Sequence, residues 1–394
     1  MPIKTKGVRR IWIQAVSVGE LLAVGPLLRK FSENESIEIV LSTTTSTGYQ
    51  VARDRYADLA LAIGPFPIDF LPCSHRTWNR IRPDLVILVD SELWPEHLWQ
   101  AKKRDVPALI VNARLSERSS RRLGQITCFR NLLVPPQLHV MACSKQNAEK
   151  WRQVGVSPHL LEISGNLKFD YQPEVILDES EKMALRDEFG FSSAADQARP
   201  IILFGASTWP GEEDALLRFM EQNEGEGTPV RLVIAPRHAE RGDEIAQLLD
   251  NRSLPWRRRS TEKETGNGEA MVYLADTTGE LSRLVQTADL VFVGKTLSPN
   301  EGGQNPIEAA SCGIPLIFGP NTQNFSEMAR TLVEAGAGLR VSDANALQKV
   351  LPELLGDQIV RAEMGAAASH WKTEQEGASS KTYDKVIQLL ESHD

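Results

Sequence analysis

The chain has few cysteines, no long apolar run and no excess of positive charge. Its four cysteines, Cys73, Cys128, Cys143 and Cys312, form no CxxC pair and no Cys/His set with metal-ligand spacing, which is typical of a reduced cytosolic protein without a structural zinc site. Because no stretch reaches the roughly 18 apolar residues of a spanning helix, we expect no transmembrane segment and no secretion signal. The net charge of −8 argues against a general nucleic-acid-binding protein.

With 394 residues, the chain is too long for one ordinary core and predicts two domains. Each half repeats one pattern, in which a short apolar strand ends in a loop rich in polar groups. In the first half the clearest strands are Ile11–Val16, Ile37–Ser42, Leu85–Val89 and Ala108–Val111, and in the second half Ile201–Gly205, Arg231–Ala235, Val272–Leu274 and Leu290–Val293. This rhythm is typical of α/β domains with doubly wound parallel sheets.

We therefore predict two Rossmann-like domains that face each other across a cleft. The boundaries are residues 1–170 for the N-terminal domain and 171–371 for the C-terminal domain. Residues 372–394 have helical periodicity and are expected to pack back on the N-terminal domain.

The most informative stretch of the second half runs from Asp289 to Phe325. It places Gly302-Gly303 in front of a short predicted helix, with Asn305 at the N-cap position. A glycine-rich loop that leads from a strand into a helix N-terminus is a common phosphate site. Glu308 could instead close a capping box with Asn305, so the pattern alone fits a simple capped helix almost as well.

Glu20 follows the first strand and opens a helix. Because the carboxyl ends of parallel strands collect ligands, a carboxylate that is kept ionised there by the helix N-terminus is a candidate general base. A glutamate in the first turn of a helix is also ordinary dipole complementation. Glu92, beside Trp94, is either an acceptor contact or a carboxylate that caps the turn.

Arg237 follows a strand and Pro236, where its planar guanidinium could bind a phosphate or a carboxylate. A surface ion pair is the alternative. His238 could orient the same group, and Ser207-Thr208 could line the same cleft or cap a helix.

Nine motifs occur in one order between about residue 11 and residue 335. They are IWIQAVSVGE, TTTSTG, SELWP, NARLSERS, GNLKFD, ASTWPGEE, APRH, DTTGELSRL and GGQNPIEAASCGIPLIFGPNTQNF. Together they resemble the 3-deoxy-D-manno-octulosonic acid (Kdo) transferases of lipopolysaccharide synthesis. The resemblance implies the GT-B glycosyltransferase fold, CMP-Kdo as the donor, a lipid A precursor as the acceptor, inversion at the anomeric carbon, and neither a metal nor another cofactor.

The resemblance also assigns roles to residues. Glu20 is the catalytic base, the Thr278–Glu280 loop meets the cytosine through backbone groups, and Glu308 holds the ribose hydroxyls. The implied donor-binding residues are Ser207, Thr208, Pro236, Arg237, His238, Thr278, Gly279, Glu280, Gly303, Gln304, Asn305 and Glu308. The implied acceptor-binding residues are Gly19, Thr47, Glu92, Arg114 and Arg118.

The dense basic regions of this acidic chain have two interpretations. They consist of Arg114, Arg118, Arg121 and Arg122, together with Lys4, Lys6, Arg9 and Arg10. Such charges usually form a solvated face, but next to a phosphorylated glycolipid they would bind lipid phosphates. The second interpretation predicts a peripheral protein on the anionic cytoplasmic face of the inner membrane.

The sequence departs from the family pattern in three ways. Members usually carry a membrane-anchoring helix ahead of the first strand, and this chain begins directly at that strand. Gln14 and Gln304 stand where the family often has histidine, and glutamine cannot become cationic. Lys295 stands where the family favours glycine, and it could supply a compensating charge.

Two other functions stay open on the sequence. One is another GT-B enzyme that uses a UDP-sugar, either a transferase or a 2-epimerase. The other is a catalytically silent protein that binds a nucleotide sugar and leaves Glu20 idle.

Overall fold

The computed structural model describes residues 3–125, 134–173, 175–191, 199–223, 229–261 and 269–392, so Cys128 lies outside the described residues. The chain divides into two compact units, one formed by Met1–Tyr171 with Gln375–Asp394 and the other by Gln172–Glu374. Each unit contains a seven-stranded parallel sheet with alternating helices, which confirms the predicted α/β class.

The N-terminal unit has strand order β3-β2-β1-β4-β5-β6-β7. Its strands are β1 Arg9–Ala15, β2 Ile37–Thr43, β3 Ala62–Pro65, β4 Leu85–Val89, β5 Ala108–Ala113, β6 His139–Ala142 and β7 Leu161–Ile163. Its first helices are α1 Val18–Ser32, α2 Ser46–Tyr56, α3 Leu71–Ile81, α4 Pro95–Lys103, α5 Glu117–Gln125 and α6 Lys145–Gln153.

The C-terminal unit has strand order β10-β11-β9-β8-β12-β13-β14. Its strands are β8 Ile201–Thr208, β9 Val230–Pro236, β10 Trp256–Arg258, β11 Val272–Leu274, β12 Leu290–Val293, β13 Leu316–Phe318 and β14 Gly338–Arg340. Its helices are α7 Glu179–Glu188, α8 Glu212–Gln222, α9 Gly242–Asp250, α10 Leu281–Leu284, α11 Ile307–Ser311, α12 Ser326–Glu334, α13 Ala344–Gly356 and α14 Gln358–Gln375.

Strand β1 shows why the middle of a central strand carries apolar side chains on both faces of the sheet. Ile11 and Ile13 pack on one face of the sheet in a cluster with Leu21 of α1. Trp12 points to the opposite face and packs edge-on against Trp78 of α3. Because helices cover both faces, alternate side chains are all buried, as is usual in parallel sheets.

The order of the strands reverses at one place in each sheet. In the N-terminal unit β1 pairs with both β2 and β4, and in the C-terminal unit β8 pairs with both β9 and β12. The loops that follow β1 and β4, or β8 and β12, therefore lead away from each other and leave a crevice at the carboxyl ends of the strands. Such a crevice is the usual ligand site of an open α/β sheet.

The C-terminal helix, α15, spans Ala378–Glu391 and belongs to the N-terminal unit, where its Val386 and Leu389 join the core beneath α1. Lys372, which the sequence assigns to this helix, instead lies in α14. The two helices separate at Gly377, whose φ of 105° is left-handed and suits glycine.

The sequence prediction missed the short strands at the sheet edges. Strand β10 lies inside a segment that reads as a connection, and β14 has only three residues. Arg10 is predicted to belong to a lipid-binding basic region, and the structure contradicts this. It is 1% exposed and its guanidinium donates to Glu38 at 2.7 and 2.9 Å and to the Ile81 carbonyl at 2.9 Å, so it holds the sheet together.

We expect Asp170→Asn to loosen α15. The buried Asp170 carboxylate accepts the Gly377 N–H at 2.8 Å and the Ser379 N–H. An asparagine side chain would turn its N–H₂ group toward one of these two backbone N–H groups, which would then lose its acceptor. The free energy of unfolding in a urea titration should therefore fall by about 2 kcal/mol. Asp54→Asn, an exposed position on α2, should change it by less than about 0.5 kcal/mol. Equal effects of the two substitutions would contradict this role of Asp170.

Candidate active site

Glu20 lies in the first turn of α1, directly after β1. Its carboxylate accepts the Val16 N–H at 2.8 Å and the Ser17 hydroxyl at 3.0 Å, while Ser17 caps the helix by accepting the Glu20 N–H at 3.3 Å. Burial raises the pKa of Glu20 above its usual value, the Val16 N–H acts against this, and the charge of Asp90 adds to it. The carboxyl thus has a higher pKa than a solvated glutamate.

Glu92 follows β4, on the other side of the strand reversal. Burial raises its pKa to about 7, and the charge of Glu20 contributes in the same direction. Glu20 and Glu92 are therefore brought together, as two carboxyls whose protonation states influence each other.

Asp90 connects this pair to strand β5. Its carboxylate accepts the Asn112 amide at 2.5 Å and forms an ion pair of 3.9 Å with Arg114. Asp90 and Asn112 both have left-handed φ angles, 61° and 53°, a conformation in which Asp and Asn are enriched. The same Asn112 side chain accepts the Leu167 N–H at 3.1 Å, which fixes the turn that carries Lys168.

Lys168 supplies a second cation beside the carboxyls. Burial lowers its pKa, Arg114 lowers it further, and the charges of Asp90 and Glu20 oppose both effects. The cluster at this sheet edge therefore contains three carboxyl groups and two cations: Glu20, Asp90, Glu92, Arg114 and Lys168.

The other predicted acceptor residues share the edge without joining the cluster. Gly19 is exposed beside Glu20, Thr47 is exposed in the first turn of α2, and Arg118 is exposed in the first turn of α5. Within the described residues, no hydrogen bond or ion pair links Thr47 or Arg118 to Glu20.

Gln14 is a buried structural residue. It is 0% exposed, accepts the Ser42 hydroxyl at 2.7 Å and donates to Thr44 at 3.0 Å. Its amide is thus used between β1 and β2.

The C-terminal unit places its predicted donor residues at the corresponding edge of its own sheet. Thr208 and Pro236 end β8 and β9, pair with each other after a register shift between Ala206 and Thr208, and are buried. The Thr208 carbonyl accepts the Arg237 N–H at 3.1 Å and leaves the exposed Arg237 side chain beyond the strand. Ser207 is half-buried with a left-handed φ of 54°.

A cation–aromatic group stands at the strand reversal. The Lys295 ammonium, after β12, lies 4.2 Å from the ring centre of Trp209, after β8. The exposed His238 packs edge-on against the same indole with ring centres 5.3 Å apart. Lys295 adopts a left-handed φ of 61°, a backbone conformation that glycine reaches without strain.

The predicted phosphate loop is shaped by its own hydrogen bonds. The Gly302 N–H donates to Gln323 at 2.9 Å, the Gly303 N–H to the Lys295 carbonyl at 3.0 Å, and the Gln304 N–H to the Gly294 carbonyl at 3.0 Å. These N–H groups are therefore not free for an anion, contrary to the sequence expectation.

The helix that follows this loop is short and begins at Ile307, one residue later than predicted. Its N-cap is Pro306, without a side-chain cap bond, so Asn305 is not the N-cap that the sequence predicts. The Asn305 side chain still accepts the Ile307 N–H at 3.2 Å. Glu308 lies half-buried in the first turn of this helix, α11, which has only five residues.

The loop after β11 is held by Glu280. Arg259 donates to its two oxygens at 2.7 and 2.6 Å, which lowers the pKa of Glu280 to about 2. Thr278 and Gly279, with a φ of 87°, are exposed at the tip of this loop. The Glu280 side chain is thus committed to fixing the loop and not to a ligand.

Comparisons with known proteins decide the family. Residues 2–171 match the family described as 3-deoxy-D-manno-octulosonic-acid transferase (kdotransferase). A 3-deoxy-D-manno-octulosonic acid transferase of Haemophilus influenzae is 32% identical over 383 residues, which cover 97% of this chain and 87% of that protein. One of Bordetella pertussis is also 32% identical, over 388 residues that cover 96% of this chain and 87% of that protein. The chain belongs to the Kdo transferase family.

This membership confirms the resemblance and makes the protein a glycosyltransferase. A solved structure of UDP-GlcNAc 2-epimerase from Neisseria meningitidis, bound to UDP-GlcNAc, aligns with a TM-score of 0.61, covers 97% of this chain and all of that chain, and is 14% identical. At this identity the likeness concerns the fold alone, and it confirms the two-domain GT-B fold.

Two absences apply to the described part of this Kdo transferase family member. No helix there is long and apolar enough to span a membrane. No group of three His, Cys, Asp or Glu side chains there could hold a metal ion.

Sequence reasoning gave no role to Asp90, Lys168 or Trp209, although Lys168 and Trp209 lie in the motifs and Asp90 directly precedes SELWP. Lys168 is in GNLKFD and Trp209 in ASTWPGEE. A strand-end position was the available signal for Asp90 and Trp209. Nothing local in the sequence indicates that the turn of Lys168 folds against β5.

We expect Glu92→Gln to stabilise the protein in a pH-dependent way. In the folded protein the Glu92 carboxyl has a pKa of about 7, whereas in the unfolded chain it ionises at the lower, usual pKa of a glutamate. Its contribution to stability is therefore complete below that usual pKa and is lost as the pH rises through 7. The Tm of the variant should therefore exceed that of the wild type at pH 8, by a margin that shrinks toward pH 5. A Tm difference that does not change between pH 5 and pH 8 would contradict the raised pKa.

Proposed function

We propose that this enzyme transfers Kdo from CMP-Kdo to a hydroxyl group of a lipid A precursor in lipopolysaccharide synthesis, with inversion of the anomeric carbon and without a metal ion. Membership of the Kdo transferase family supports the sugar that is transferred. The observation that carries the mechanism is the half-buried Glu20 carboxyl at the end of β1, held by the Val16 N–H and the Ser17 hydroxyl.

The proposed reaction needs a base for the acceptor hydroxyl. As the acceptor oxygen forms its bond to the anomeric carbon, its proton passes to Glu20 and the bond from that carbon to the phosphate oxygen of CMP breaks. The raised pKa of Glu20 makes it a stronger base than a solvated glutamate. Lys168 and Arg114 keep the cluster from accumulating negative charge.

The C-terminal unit is the proposed donor site. The exposed Arg237 and the Lys295 ammonium over Trp209 supply positive charge for the phosphate and carboxylate of the donor. Asn305, Gln304 and Glu308 line the neighbouring loop and would contact the nucleotide. Because the loop N–H groups are engaged internally, the charge of the departing CMP is met by these cations and not by the five-residue helix.

An exposed apolar group supports a lipid acceptor. Ile68, Phe70 and Leu71, here called the apolar lip, are 74%, 60% and 50% exposed and follow β3 at the same sheet edge as Glu20. Asp69 holds this loop, because its carboxylate accepts the Glu96 N–H at 3.3 Å and the His97 N–H at 3.1 Å at the start of α4. Asp69 therefore fixes this loop while the three apolar side chains remain exposed to solvent, a position suited to contact with acyl chains.

A peripheral position on the cytoplasmic face of the inner membrane is part of the same proposal. Arg118, Arg121 and Arg122 are exposed on α5, which also follows a strand at the edge of Glu20. Exposed arginines beside an apolar lip are suited to a surface of anionic lipid.

We expect Glu20→Gln to slow turnover with CMP-Kdo and a lipid A precursor strongly. Losing a general base should lower kcat by about 10²–10⁴-fold, because the amide cannot accept the proton. Glu33→Gln, at the exposed far end of α1, should behave like the wild type. Mass spectrometry of the product also reports how many Kdo units are added. Wild-type turnover matched by Glu20→Gln would show that another group is the base.

Calorimetric titration separates the donor classes. The wild type should bind CMP more tightly than UDP, and a preference for UDP would favour a UDP-sugar enzyme. CMP binding without turnover of any acceptor would instead favour a silent binding protein.

We expect Ile68→Ser to weaken binding to vesicles of phosphatidylethanolamine and phosphatidylglycerol in a 3:1 ratio about tenfold, since an isoleucine side chain would no longer enter the lipid. Ile359→Ser is the matched control, because Ile359 is 71% exposed on α14 of the other unit. Equal sedimentation of both variants with the vesicles would remove the lip from the proposal.

A further inference from the structure

Glu212 is a buried carboxylate that the reaction proposed above does not use. It opens α8, is 1% exposed, and accepts four backbone N–H groups. One oxygen accepts those of Trp209 at 2.9 Å and Lys295 at 2.8 Å. The other oxygen accepts those of Thr296 at 2.8 Å and Leu297 at 3.0 Å.

These four bonds join the two loops at the strand reversal. Trp209 belongs to the loop after β8, and Lys295–Leu297 belong to the loop after β12. Because one carboxylate oxygen holds the N–H groups of both Trp209 and Lys295, it fixes the two partners of the cation–aromatic contact relative to each other. It also holds Lys295 in its left-handed conformation.

The bonds continue from Lys295 into the loop proposed to meet the donor. The Lys295 carbonyl accepts the Gly303 N–H, and the Gly294 carbonyl accepts the Gln304 N–H, both at 3.0 Å. Gly294 itself packs so closely that a Cβ there would lie 2.1 Å from the Ser207 carbonyl oxygen. Close packing therefore fixes Gly294, and the Glu212 carboxylate holds the residues that follow it, Lys295–Leu297.

A carboxylate is the side chain that this arrangement requires. Four N–H donors converge on it, and an ionised carboxylate offers only acceptors. Burial raises the pKa of Glu212, and the four N–H groups act in the opposite direction. An amide would place its own N–H₂ group against two of the donors, at the cost of unsatisfied buried groups.

We infer that Glu212 is a positioning residue of the donor site. It sets the Lys295 ammonium over Trp209, where this cation meets the negative charge of the nucleotide, and it fixes the turn from which Gln304 contacts the same ligand. The inference rests on the proposed function for the identity of the ligand. The carboxylate itself does not touch the donor.

Glu212→Gln and Glu213→Gln form a matched pair for the test. Glu213 is the next residue of α8 and is also 1% exposed, but its partner is Arg241 at 2.7 Å, away from the two loops. Both variants lose a buried charge, and both should unfold at lower urea concentration than the wild type. Only Glu212→Gln should weaken CMP binding, by at least about tenfold in calorimetric Kd, whereas Glu213→Gln should stay within about twofold.

Hydrogen exchange followed by mass spectrometry tests the linkage without a ligand. Peptides that cover residues 294–305 should exchange faster in Glu212→Gln than in Glu213→Gln or the wild type. Lys295→Gln, which keeps the backbone bonds to Glu212, should weaken CMP binding with unchanged exchange. It also tests the cation if Glu212→Gln does not fold.

The outcomes separate this inference from the proposed function. If the wild type binds CMP and Glu212→Gln binds it equally well, or if both glutamine variants weaken CMP binding alike, the inference is wrong. Unchanged exchange of residues 294–305 in Glu212→Gln also overturns it, as does unchanged CMP binding by Lys295→Gln. If the wild type does not bind CMP, the proposed function fails, and the exchange data still decide whether Glu212 holds the loop.

Discussion

Both units depend on one constraint, which is that every strand of each sheet runs in the same direction. The carboxyl ends of all strands then lie at one edge of the sheet. The polar loops that follow the strands come together at this edge because of the strand direction alone, and need no contacts with each other to do so. The reversal of strand order beside β1 and beside β8 opens that edge in the middle. Glu20 and Trp209 occupy these places because each directly follows the strand from which its sheet is built outward in both directions.

The two edges use buried glutamates in opposite ways. At Glu20 the carboxylate accepts two hydrogen bonds and stands beside Asp90 and Glu92, so burial and like charge make proton uptake easier. At Glu212 burial also raises the pKa, but four N–H groups occupy both carboxylate oxygens, so the side chain holds two loops together. The same side chain serves chemistry or architecture according to how many donors surround it.

Much of the fold could be predicted from sequence because buried parallel strands such as Leu85–Val89 are uniformly apolar and end in polar loops. Edge strands such as β10 could not, since three residues leave no period to detect. Glu20 could be proposed from its place after β1 together with the family motif. The predicted anion loop shows the limit of such reasoning. Its glycines precede a short helix as the sequence predicts, but the N-cap is Pro306 and not Asn305. The N–H groups of Gly303 and Gln304 donate to carbonyls that only the folded chain brings near.

The hydrogen bonds between Asp170 and the start of α15 have a consequence for biosynthesis. Helix α15 follows the whole C-terminal unit in the sequence but completes the core of the N-terminal one. During translation the N-terminal unit emerges first and waits with part of the surface beneath α1 uncovered, while some two hundred further residues are added. The N-terminal unit therefore completes its core only after the C-terminal unit has been synthesised. A ribosome that stalls within the C-terminal unit leaves the N-terminal unit without α15 and exposed to chaperones and proteases.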